Sequence, residues 1–196
     1  MTIINKIAYN LFNINSLYFF SRKSSCGSVK SDFVVIIKSL DCLVGYKLRD
    51  SFFSAIKREI KAGSEILVYV VNMEVVGYLC ISDKKAYIGE IAKEMSFDRH
   101  SITPSYYIYN IFVANDFRGR SIQSILMSSV DFYVEKDSDL LICALCDNYY
   151  SVRNILNDGF SLVGFVSFLV LFKNKITLKA SLKGLNLEIR DCKMAK

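Results

Sequence analysis

The stretch NDFRGRSIQSILM, residues 115–127, sets a glycine between two arginines directly ahead of an apolar repeat of helical period. The first N–H groups of a helix have no intrahelical acceptor and sit at the positive end of the helix dipole. Here they belong to Ser121, Ile122 and Gln123. A pyrophosphate docks on such a helix start, Arg118 and Arg120 adding charge-assisted hydrogen bonds while Gly119 lets the backbone come close. The same residues also read as an ordinary basic helix start with Ser121 as its N-cap. A P-loop is excluded because no GxxxxGK followed by Ser or Thr occurs, and a dinucleotide fingerprint because no GxGxxG follows a strand.

Other residues could move protons. His100 is the one histidine, with an ordinary pKa suited to a general base, though its polar setting equally suits a surface residue. Glu90 and Glu94, four apart in the same segment, could share a helix face toward an acceptor, though a solvated face suits them better. Tyr107 and Tyr109 fall with Ile111 on one face of a strand by period two. Tyr149 and Tyr150 open a later helix, and packing is the alternative role of each tyrosine. With an ordinary pKa of ~10, Tyr109 would orient water or substrate rather than take a proton. Cys143 and Cys146 resemble a redox or zinc pair only superficially: they lie in a strand and no second ligand pair exists, so no metal is expected.

The elements that must position these groups follow from periodicity. A short helix over 4–12 precedes a strand over 16–23, a serine-rich loop and a strand over 32–40. From 43 to 63, Leu48, Phe52, Ile56 and Ile60 recur every four residues, an amphipathic helix with Gly63 at its C-cap. EILVYVV and VVGYLCIS, joined by a tight polar turn, make a hairpin over 65–82. The polar segment 83–105 is the expected mobile or substrate-facing part. A strand over 105–114 then feeds the arginine-glycine turn and a helix over 122–136. A strand over 139–146, a helix over 148–158 stopped by Gly159 and a strand over 160–173 follow. The alternating tail suggests an added hairpin with Lys175, Lys179 and Lys183 on its outer face. The order predicts an α/β (α+β) fold, a mixed sheet with helices on its faces.

At 196 residues and 52% hydrophobic content the chain can bury one sizeable core, and its single proline marks no linker. Twenty-five basic against 19 acidic residues give +6, enough to favour an anionic small molecule but too dilute for a nucleic-acid binder. Six scattered cysteines without a secretory signal imply reduced thiols and a cytoplasmic location. Asn10, Asn13 and Asn15 interrupt the apolar start, and the run 160–172 falls short of the ~20 residues that span a bilayer.

YIYNIFVANDFRGRSIQSIL followed by DNYYSVRNILNDGF resembles the GNAT superfamily of acyl-CoA N-acyltransferases. The family's pyrophosphate loop commonly runs RGKGIG. Arg118-Gly119-Arg120 match it, whereas Ser121 and Gln123 replace two glycines. Asn148, Ser151, Gly159 and Phe160 match the family's next helix and strand. The resemblance covers roughly 32–173, with 1–31 as an extension like that of members encoded beside polysaccharide genes and 174–196 as a basic tail or hairpin. It implies a mostly antiparallel mixed sheet with a splayed strand pair. It also implies acetyl-CoA or another acyl-CoA as co-substrate, held by the loop from Arg118 to Gln123, by the backbone of Ile111, Phe112 and Val113, and by Asn148 and Ser151. The acceptor would be a small amine such as an amino sugar, and a homodimer is left open. The tyrosine that serves many members as general acid is replaced by Ile155, leaving Tyr150 as substitute and Tyr109 as an orienting group. A GNAT-like protein that binds CoA without turnover is the alternative.

Overall fold

A computed structural model describes residues 13–25, 31–83, 85–88, 93–97, 105–171, 174–182 and 187–191. Its elements are β1 (Asn13–Lys23), β2 (Val34–Ile37), α1 (Asp50–Lys61), β3 (Glu65–Val71), β4 (Glu74–Ser82), β5 (Lys85–Ile88), β6 (Lys93–Phe97), β7 (Ser105–Val113), α2 (Ile122–Tyr133), β8 (Asp139–Leu145), α3 (Tyr149–Asn157), β9 (Ser161–Leu171), β10 (Asn174–Leu182) and β11 (Leu187–Asp191). The expected helix over 4–12 lies outside the described residues. Two compact units divide the chain: Arg22–Lys84 with Ile102–Ile142, called the loop unit here, and Met1–Ser21 with Lys85–Ser101 and Cys143–Lys196, the terminal unit. Two of the crossings fall inside β1 and β8.

In the loop unit β2, β3, β4 and β7 pair antiparallel, and β7 pairs parallel with the first half of β8. The hairpin turns at Asn72 and Met73, both with positive φ, which matches the twist of the flanking strands. Helices cover both faces, as adjacent residues of β4 show. Tyr78 meets Phe52 of α1 edge-on, with ring centroids 5.3 Å apart. A Cβ on Gly77 would instead lie 3.2 Å from Ile122 and 3.5 Å from Leu126 of α2. Phe52, Ile56, Ile66, Val68, Tyr78 and Cys80 form the core on the α1 side, and α2 buries Ile122, Leu126, Met127 and Val130.

The helix expected over 43–63 is shorter. Leu40–Leu43 form a 3-10 turn, Gly45 takes φ +93, and Lys47 bridges to β4 through Lys47 N–H to Met73 O (2.8 Å) and Val75 N–H to Lys47 O (3.0 Å). That bridge holds the chain extended until Asp50. The same turn shortens the strand expected over 32–40. At the other end of α1, Gly63 N–H bonds Ile60 O and Ser64 N–H bonds Glu59 O, a Schellman closure requiring the positive φ that glycine supplies. Gly159 closes α3 in the same way.

In the terminal unit β9 pairs antiparallel with β1 and β10, and Leu17, Phe19, Val166 and Phe168 are buried. A second sheet runs β11-β6-β5. Two expectations change here. The polar segment 83–105 supplies strands β5 and β6, so Glu94 sits on a strand and shares no helix face with Glu90, which lies outside the described residues. The tail strands do not form a hairpin: β10 joins β9 and β11 joins β6, because alternation sets a strand's faces without choosing its partner.

Candidate functional site

The site begins with a break in β7. Its parallel ladder with β8 ends at Ile108 opposite Ile142, although β7 continues to Val113. Just beyond, the ladder with β4 slips between Tyr78 and Cys80, so that Leu79 alone opposes Asn110 and Ile111. Asn110 takes φ +50, the left-handed conformation asparagine tolerates better than most residues. Such a bulge bends a strand and increases its twist, which fits the end of pairing on the β8 side. The bulge also corrects the expected alternation. Phe112, not Ile111, returns to the face of Tyr109, placing its ring 5.2 Å from Phe52 and 6.1 Å from Tyr78. Tyr107 and Tyr109 do share a face, stacked at 5.5 Å.

The turn after β7 is held from both sides. Asn115–Phe117 form a short 3-10 turn, and Arg49 at the N-terminus of α1 donates to Asp116 Oδ2 at 2.6 Å. That bond holds the Asp116 carboxyl below its ordinary range. Asp116 is thus committed to Arg49, while Arg118 and Arg120 enter no ion pair among the described residues. Each guanidinium lies over a ring instead, Arg118 at 5.8 Å from Phe112 and Arg120 at 5.1 Å from Phe117. Arg118 Nε also donates to Val113 O at 3.3 Å. Gly119 has φ +77 and Ser121 φ +57, so the serine adopts a glycine-like backbone. Ser121 occupies the N-cap position, but its side chain makes no capping bond. The first intrahelical bond is Ile125 N–H to Ser121 O, and the first turn of α2 carries no acidic residue. Its N–H groups, its dipole and two guanidiniums are together suited to hold a phosphate anion.

A second cluster lies at the bulge, and its central residue was not singled out from sequence. Glu59 of α1 is 8% exposed. Its Oε2 accepts from Tyr109 OH at 3.0 Å, and its Oε1 accepts from Asn110 Nδ2 at 3.2 Å and Arg58 Nε at 2.8 Å. Ser64 Oγ lies 2.6 Å from the Tyr109 hydroxyl. Burial raises the Tyr109 pKa, so the phenol stays protonated, and burial likewise keeps Cys80 a thiol. The available signal was a carboxylate seven residues after Phe52 on the apolar stripe of α1, where an unpaired charge would be costly.

In the terminal unit Asn148 caps α3, its Oδ1 accepting from Ser151 N–H at 3.2 Å. The two matched residues therefore have a structural function in one helix start. Tyr149 and Tyr150 are exposed, Tyr150 to 80%, with their rings at 6.1 Å. Ile155 is 2% exposed and packs as core. His100 lies outside the described residues. Among the described residues no group of three His, Cys, Asp or Glu could hold a metal ion, and no helix is long and apolar enough to cross a membrane.

No family model matches the sequence, and no curated protein sequence matches it. Solved structures do match. A Novosphingobium aromaticivorans protein assigned to the GNAT acetyltransferase family aligns with TM-score 0.57 at 8% identity, over 79% of this chain and 63% of that one. The chain has a GNAT-like fold. A functionally unknown conserved protein from Staphylococcus epidermidis aligns with TM-score 0.52 at 18% identity, over 85% of this chain and 65% of the other. This chain thus spans less than two thirds of either protein, and at such identities the likeness is one of fold.

Proposed function

We propose that the protein is an acyl-CoA-dependent N-acyltransferase, using acetyl-CoA and acylating a small amine such as an amino sugar. The observation that carries this reading is the succession in β7 of a ladder end, a bulge and a basic turn opening a helix. A strand edge at Ile111, Phe112 and Val113 offers backbone groups to the two amides of pantetheine, and α2 with Arg118 and Arg120 receives the pyrophosphate. Acyl transfer from a thioester then needs a neutral amine, a held carbonyl and a proton for the leaving thiolate. Tyr109 is the proposed orienting group; for Tyr150, Asn148 and Ser151, which belong to the terminal unit, the resemblance to the family is what supports roles as proton donor and beside the pantetheine arm.

Ile155 favours a second reading, a protein that binds acyl-CoA without turnover, because its buried alkyl side chain cannot replace a hydroxyl acid. One experiment separates the two. Acetyl-CoA at 100 times its dissociation constant stabilises a specific binder by about 2.7 kcal/mol. That shift together with free-thiol release on an amine panel supports the enzyme, and the shift alone supports the binding protein. No shift with any acyl-CoA sinks both.

A further inference from the structure

We infer that Glu59 is the carboxylate that takes the proton from the acceptor's ammonium group, a role supplied from helix α1 rather than from β7. This rests on the acyltransfer reading above. β7 itself offers Tyr107, Tyr109 and Asn110 near the bulge, and no carboxylate. Glu59 brings one there, since its two oxygens bond Tyr109 and Asn110, the residues at which β7 has just left the β8 ladder. The carboxylate is fixed in orientation. Oε1 accepts from Asn110 Nδ2 and Arg58 Nε and pairs with the Arg58 charge, Nη2 lying 2.7 Å away, whereas Oε2 accepts from the Tyr109 hydroxyl. An ionised carboxylate oxygen accepts about two hydrogen bonds, so by count Oε2 has capacity for one N–H donor besides Tyr109. Neither Tyr109 nor Cys80 competes as a base, because burial keeps both protonated.

In the step proposed, Glu59 Oε2 takes one proton from the ammonium. The amine nitrogen attacks the thioester carbonyl carbon, the C–N bond forms, and the C–S bond breaks with its electron pair on sulfur. The proton donor neutralises the thiolate to CoA thiol and is restored by the second proton lost from nitrogen, and Glu59 returns its own proton to water. Arg58, Asn110, Tyr109 and Ser64 are positioning residues.

Two isomeric probes test this: benzylamine, an ammonium ion at neutral pH, and p-toluidine, which is already neutral there. With acetyl-CoA saturating and thiol release as readout, Glu59→Gln should lower kcat for benzylamine by about 100-fold or more, the usual scale of proton-transfer catalysis. It should leave p-toluidine within about threefold, since no ammonium needs deprotonation. The acetyl-CoA thermal shift should be unchanged. Glu59→Asp, which keeps the charge, should show a smaller loss confined to benzylamine, and it serves as the probe if Glu59→Gln does not fold. Equal loss on both amines in either variant, or benzylamine turnover intact in Glu59→Gln, overturns the assignment. Wild-type protein that binds acetyl-CoA but acylates neither these two nor any other amine of the panel overturns it too and leaves acyl-CoA binding standing. Absence of the shift overturns the acyltransfer reading itself.

Discussion

Ser121 holds φ +57 at the start of α2, a conformation that costs a non-glycine residue about 1–3 kcal/mol. Ser121→Gly removes that cost and returns about 0.4–1 kcal/mol through the freer unfolded chain. The expected net gain is about 1 kcal/mol, measured by urea unfolding, whereas Ser121→Val should destabilise because a β-branched side chain fits this region worst. A loss of stability in Ser121→Gly would show that the serine side chain has a role that compensates its backbone. Tyr109 gives a prediction whose sign depends on pH. Its folded-state pKa is raised by burial, so the stability it contributes is fully present below the unfolded value of about 10 and is lost as pH rises through the folded value. Wild-type stability should therefore fall above about pH 10, and Tyr109→Phe should flatten part of that decline. At neutral pH the same variant should cost about 1–2 kcal/mol, since Glu59 Oε2 loses its donor. Urea titrations at the two pH values check both halves.

Elements place these residues through close packing that the sequence only partly discloses. Gly77 lets α2 approach β4: an added Cβ would stand 3.2 Å from both Ile122 Cγ2 and Phe112 O, and the latter is backbone that gives way little. Gly77→Ala should displace the first turn of α2 and the loop before it, costing about 1–3 kcal/mol by overpacking. Acetyl-CoA affinity should fall with it, as titration of the variant would show. In α3 the Asn148 cap separates two roles. Asn148→Ala should cost about 1 kcal/mol and Asn148→Asp almost nothing, because the carboxylate still accepts from Ser151 N–H. If acetyl-CoA binding weakens in Asn148→Asp despite unchanged stability, Asn148 contacts the ligand as well as capping. The strand and helix framework was legible because hairpin, strand and helix each repeat a local period. The bulge was not, since Tyr109, Ile111 and Phe112 are all apolar or aromatic and a one-residue phase slip among them leaves no trace in the pattern.

For the whole molecule, what could be read depended on sequence distance. The basic turn was legible because its strand, glycine, arginines and helix are contiguous. Glu59 was not singled out, because it meets Asn110 across 51 residues, and its place on the apolar stripe of α1 tells that it faces inward without telling what it meets there. Nor did composition reveal two units, since their boundaries include points within β1 and β8 where no linker chemistry is needed. Charge, by contrast, is a global property with a local consequence. The chain carries +6, and in the turn itself the carboxylate is held by Arg49 while Arg118 and Arg120 enter no ion pair among the described residues, which suits them to the proposed phosphate contact. Both are exposed, and the Debye length shrinks from about 10 Å at 0.1 M salt to about 3 Å at 1 M. Acetyl-CoA affinity should therefore fall steadily with ionic strength. Arg118→Ala or Arg120→Ala should each weaken binding by several-fold at low salt, a loss of about 1–2 kcal/mol for one charge-assisted contact, and each should flatten the salt dependence. Because Arg118 also lies over Phe112 and donates to Val113 O, Arg118→Lys should recover the charge but not the Nε–H bond to Val113 O. A salt-insensitive wild type, or arginine variants that bind as tightly as wild type at low salt, would mean that the turn is a surface feature and that the ligand is held elsewhere.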